Sequence, residues 1–107
     1  MSKIILQINY KIGSSRADFT ALVTPMAETI ASFPGLLWKI WLLNEAEHEA
    51  GGIYLFESRE TAQGFVDNAV KGFAAHPMIS DLKTKFFEPD EALSKVTRGP
   101  LAEVQKV

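Results

Sequence analysis

The chain has no cysteine and only two histidines in 107 residues. Disulfides, thiolate metal sites and a cysteine nucleophile are therefore excluded, and the spacing of His48 and His76 fits no zinc pattern, so no metal is expected. There is no glycine-rich dinucleotide fingerprint and no phosphate loop, hence no sign of a nucleotide cofactor. Neither charge sign dominates: 11 basic and 13 acidic residues lie scattered and leave a net charge of −2. A nucleic-acid partner would call for a basic block, which is missing. No apolar run reaches membrane-spanning length, and the opening MSKIILQINYK has no long apolar leader region. Neither a membrane partner nor a secretory signal is expected, and the cytoplasm is the default address.

What is present is an ordinary globular composition, 47% hydrophobic and 22% charged, without repeats or biased segments. A chain of this length buries roughly 65% of the surface its unfolded form exposes, enough for one real core. One domain over residues 1–95 is expected, followed by a tail over 96–107 that has no clear pattern.

The richest stretch runs from Leu36 to Glu57, and it reads as two antiparallel strands joined by an acidic turn. From Leu36 to Leu43 only Lys39 is polar. A strand with one wet face would alternate, so both faces of this hairpin call for burial. Before it, Lys3 to Tyr10 alternates as a strand, with Ile4, Leu6, Ile8 and Tyr10 on one side. Phe19, Leu22, Val23, Met26, Ala27, Ile30 and Phe33 then mark one helical face. Pro25 lies inside that helix and predicts a kink or break near Thr24. After the hairpin, Ser58 is a candidate N-cap for a second helix with the face Ala62, Phe65, Val66, Ala69, Val70 and Phe73. Leu82 to Glu88 reads as a fourth strand.

The order β-α-β-β-α-β predicts an α+β, ferredoxin-like fold with a four-stranded antiparallel sheet and both helices on one face. The other face has no layer to cover it. Its apolar hairpin residues would form an interaction patch, and the simplest cover is a second copy of the sheet in a two-fold homodimer. The tail, which strays from its own core, is expected to dock on that partner.

Several residues in the hairpin are site candidates, each with a structural alternative. Trp38 and Trp41 are three apart and point to opposite faces, so only one of them can line a given pocket; both could equally be core or interface residues. Lys39 needs a partner if buried, and Glu49 across the hairpin is the candidate, with a ligand contact as the alternative. His48 is a solvated turn residue, or a proton carrier if the turn folds over a cavity. His76, before Pro77, closes the second helix. Gly51-Gly52 either relieves crowding at a bulge or leaves room for a ligand ring, with Tyr54 on the same side as Gly52 offering a hydroxyl.

Pro34-Gly35-Leu36-Leu37-Trp38-Lys39-Ile40-Trp41 followed by His48-Glu49-Ala50-Gly51-Gly52-Ile53-Tyr54-Leu55-Phe56 resembles the YdhR mono-oxygenase family. The likeness extends through Pro25, Met26-Ala27-Glu28 and the helix start at Ser58. It implies a dimeric α+β barrel, and a cofactor-independent oxygenation in which an electron-rich phenol or anthrone-like substrate is deprotonated and reacts directly with dioxygen. On that reading Trp38, Trp41 and Tyr54 hold the ring with Lys39, Gly51 and Gly52 beside it, and His48 or Glu49 takes the proton. A non-catalytic dimer that binds an apolar ligand or a partner protein is the alternative. Haem degradation, with His48 or His76 as axial ligand, is a third.

Overall fold

The structure, a computed structural model, describes residues 2–101. Four strands run β1 (Ile4–Ile12), β2 (Leu36–Asn44), β3 (Glu49–Phe56) and β4 (Ile79–Phe87). They form one sheet in the order β2-β3-β1-β4, every neighbouring pair antiparallel. This is the expected ferredoxin-like α+β arrangement. β1 alternates without fault: Ile4, Leu6, Ile8, Tyr10 and Ile12 are buried and the residues between them half-buried. The buried set faces the helices.

The first helical stretch is two helices, α1 (Arg16–Val23) and α2 (Met26–Ala31). Ser15 caps α1 by accepting from the Asp18 amide. The break falls at Thr24-Pro25, as the proline predicts, because Pro25 has no N–H to continue the ladder. Gly35 then turns the chain at φ +87° with Thr61 packed against it, a backbone shape that favours glycine.

β2 holds the main departure from simple alternation. Leu36 pairs with Phe56, but Trp38 pairs with Leu55, so one extra residue at Leu37 forms a bulge. A bulge inverts the phase of everything after it. Lys39 and Trp41 consequently join Leu36 on the helix side, while Trp38, Ile40 and Leu42 face outward. The hairpin closes through a short turn, Glu45–Glu47, capped by the Asn44 side chain, and His48 leaves it at φ 52°.

Ser58 caps α3 (Arg59–Phe65) through the Thr61 amide. The helix then widens into one π-type turn, Val66–Val70, before α4 (Lys71–Ala74). Phe19, Val23, Ala62, Phe65 and Val70 from these helices close on the inner face of the sheet as one core. β4 begins at Ile79, earlier than the expected Leu82, because Asp81 at φ 52° takes up a register shift against β1 and lets the strand start before it. A last helix, α5 (Glu91–Val96), leads the chain back to the sheet, where the Trp38 indole donates to the Pro100 carbonyl at 2.9 Å. Leu101 is buried, and Leu55 on the outer face is fully buried. Of the expected tail, residues 102–107 lie outside the described part.

Candidate functional site

Between the sheet and the helices lies a cavity of about 300 Å³. Its floor is Ile8 and Tyr10 of β1 with Tyr54 of β3, and one wall is Lys39 and Trp41 of β2. Leu22, Val23, Pro25, Met26, Thr29 and Ile30 roof it from α1 and α2. Phe65, Ala69, Val70 and Phe73 close the far side, and Leu82 of β4 completes the lining. The π-type turn places Ala69 and Val70 here, and such turns are frequent where helices line functional sites. The break at Pro25 likewise brings the junction of α1 and α2 to the cavity.

The aromatic rings are held against one another, which fixes the shape. Tyr54 lies 5.0 Å from Phe65 between ring centres, and Tyr10 meets Phe73 edge-on at 5.1 Å. Neither tyrosine hydroxyl has a protein hydrogen-bond partner among the described residues, and no buried polar side-chain atom is left unsatisfied. Both hydroxyls therefore reach accessible space. Burial pushes Tyr10 up to about 12. Tyr54 is raised as well, first by burial and then by the charge of Tyr10. Both are hydrogen-bond donors at neutral pH.

Lys39 is the unusual group. Its Nζ stands 3.2 Å from the centre of the Trp41 ring and 4.6 Å from that of Tyr54. Among the described residues no acidic one lines the cavity. Burial pulls its ammonium down from an ordinary value of 10.5 to about 7. The expected partnership with Glu49 is not formed, because the register sets Lys39 opposite Tyr54 and Glu49 opposite Asn44 at the turn end of the hairpin. Gly52 makes room for the lysine stem: a Cβ there would come 2.7 Å from Lys39 Cε and 3.1 Å from Tyr54 Cε1.

Of the residues singled out in the sequence, Lys39, Trp41 and Tyr54 meet at the cavity, with Gly52 behind them. Trp38 does not, since the bulge turns it outward to Pro100. Gly51 is buried between the β1 and β2 backbones. His48 and Glu49 are not brought to the cavity. The exposed His48 closes the hairpin turn and Glu49 begins β3 beside it. His76 uses its Nδ1 to accept from the Met78 amide and does not line the cavity. Tyr10 and the helix residues were missed as site residues, although the alternation of β1 already put Tyr10 on the face of Ile8.

The sequence matches the family described as "Putative mono-oxygenase ydhR" over residues 5–100. The chain belongs to this family. Among curated proteins no relative matches it. In solved structures the fold is similar to SnoaB, a cofactor-independent oxygenase from Streptomyces nogalater, with a TM-score of 0.66 at 12% identity, covering 83% of this chain and 94% of that one. It is also similar to a protein from Chloroflexus aurantiacus described as "putative Antibiotic biosynthesis monooxygenase", at TM-score 0.61 and 19% identity, covering 82% and 93%. A third likeness is the haem degrader MhuD from Mycobacterium tuberculosis, with two haems in its active site, at TM-score 0.62 and 19% identity, covering 80% and 95%. At these identities the likeness shows the fold alone. This ydhR family member does not fit haem in the expected way, because neither His48 nor His76 lines the cavity to act as axial ligand. No helix among its described residues is long and apolar enough to cross a membrane.

Proposed function

We propose that the protein is a cofactor-independent mono-oxygenase acting on a small aromatic or quinone-like compound bound in the cavity beside Trp41 and Tyr54. The observation that carries this reading is the cavity itself: aromatic and aliphatic walls, two tyrosine hydroxyls and one amine with no carboxylate among the described lining residues. Apolar walls take a planar ring, exclude water and leave few polar groups to orient it. An anthrone-like substrate would lose both hydrogens of its CH₂ group. One atom of dioxygen would become the new carbonyl oxygen and the other leave as water, with the substrate's own electrons reducing the oxygen. Family membership and the likeness to an oxygenase fold support the reading.

An oxygen electrode tests it. Purified protein should consume oxygen with one or more members of a panel of hydroquinones and anthrones, and Trp41→Ala should lower kcat/KM by about 10- to 100-fold through lost positioning. Ligand binding without any oxygen uptake would leave a binding protein in place of an enzyme.

The working unit in this proposal is a homodimer. Ile40 is 52% exposed and Phe87 44% on the outer face of the sheet, next to half-buried Ile5, Leu42 and Ile53. Such a face matches the two-sided apolar character of the hairpin, and roughly 800 Å² per partner is the usual size of a stable interface. Sedimentation equilibrium from nanomolar to micromolar concentration should show a dimer. A folded monomer over that whole range would remove the dimer from the proposal.

A further inference from the structure

Among the described residues that line the cavity Lys39 is the one charged group, and none of the others neutralises it. Its nitrogen lies 4.6 Å from the centre of the Tyr54 ring of β3, and Tyr10 of β1 lines the same cavity. The lining residues of the helices and of β4 contribute no ionisable group. Its stem lies in the space left by Gly52, and its nitrogen is held over the Trp41 face. The arrangement keeps the lysine half-buried, and gives its protonated form two aromatic faces but no counter-ion among the described lining residues. A ligand that supplies the counter-ion would complete it.

We propose that Lys39 is the proton acceptor and counter-ion of the cavity, and that the compound it selects is a compact aromatic enol or phenol held as its anion. The neutral amine takes the hydroxyl proton. The products are an arenolate oxygen and a Lys39 ammonium in contact, with no charge gained or lost in the cavity. The ammonium is received by Trp41 and Tyr54, while the tyrosine hydroxyls, still protonated at neutral pH, are donors for the anion. Lys39 holds the proton where a buried amine near neutrality is suited to exchange it. The inference rests on the mono-oxygenase reading and deepens it by naming the residue that takes the proton and pairs with the anion, the form that gives electrons to dioxygen.

The test uses 4-nitrophenol, whose anion is coloured, titrated with the full-length protein under argon. Bound to wild type, its ionisation midpoint should fall by about one pH unit or more relative to free solution. With Lys39→Met it should rise above the free value, since the cavity then lacks any cation. Lys39→Arg keeps the cation and should still bind the coloured anion, yet lower oxygen uptake with an anthrone at neutral pH by about tenfold or more, because a guanidinium does not accept a proton. Nitrobenzene, which has no proton to give, should bind wild type and Lys39→Met alike. No binding of 4-nitrophenol, an unshifted midpoint in wild type, or equal ionisation in Lys39→Met overturns the proposal. The argon titration separates this inference from the oxygenase reading. A shifted midpoint without oxygen uptake on any substrate sinks the enzyme and keeps the anion site, whereas full oxygen uptake by Lys39→Met does the reverse.

Discussion

Gly51→Ala should unfold the protein or lower its melting temperature by roughly 15 °C or more. Gly51 sits in the central hairpin strand, paired with Asn9 of β1 on one side and Leu42 of β2 on the other. A Cβ built on it would fall far inside contact with the Ile8 carbonyl oxygen and come within 3.1 Å of Asn9 Cα. These are backbone atoms of the neighbouring strand. No rotamer change relieves the clash, so the β1–β3 ladder must open or slide, at a cost of ~3–5 kcal/mol on the scale of severe core overpacking. The control is Gly64→Ala in α3, where an added Cβ meets nothing within 4 Å. Alanine there should raise stability by ~0.5–1 kcal/mol through helix propensity. Thermal and urea melts of the two variants side by side check both signs, and a Gly51→Ala protein as stable as wild type would show that β1 and β3 do not approach as closely as described.

The same hairpin shows what could be read in the chain and what could not. β1 and the helix faces were legible because their apolar residues keep one period each, and the Ser58 cap and Pro25 break follow from local chemistry that the rest of the fold does not override. β2 showed its apolar character but not its phase, and in the single chain only Leu36 of this strand is buried. Leu36 to Leu43 is apolar on both parities, so alternation cannot say which side faces the helices, and the bulge at Leu37 that decides it has no glycine to mark it. The consequence was the site: the bulge puts Lys39 and Trp41 inside and Trp38 outside, a choice invisible to side-chain period alone. His48 and Glu49 drew attention by charge, yet charge in a tight hairpin turn is also what solvent contact favours, and the turn leaves His48 exposed. Tyr10 and Ala69 enter the cavity through tertiary packing and a π-type turn, neither of which a window of sequence reports.

Lys39→Met should make the protein more stable at neutral and acid pH, with the gain fading as the solution becomes alkaline. In the folded chain the ammonium is pulled down to about 7 by burial, against 10.5 when unfolded. Above 10.5 the amine is neutral in both states and carries no penalty. Between 10.5 and 7 the unfolded chain binds the proton and the folded one does not, so wild-type stability falls as pH falls through this window. Below 7 both states are protonated and the full cost is present. That shift sets a ceiling of ~5 kcal/mol. Contact of the ammonium with the Trp41 and Tyr54 faces recovers part of it, which leaves ~2–3 kcal/mol for methionine to regain while filling similar space. The melting temperature of Lys39→Met should therefore exceed that of wild type by roughly 10 °C at pH 6 and approach it near pH 10. Above pH 10 the raised ionisation of Tyr10 and Tyr54 favours unfolding in both proteins, so the difference between them isolates the lysine. Melts at matched protein concentration across this range decide the matter. A difference that stays constant with pH, or a wild type more stable than the variant at pH 6, would mean that Lys39 is solvated or paired, and that the cavity holds no desolvated amine.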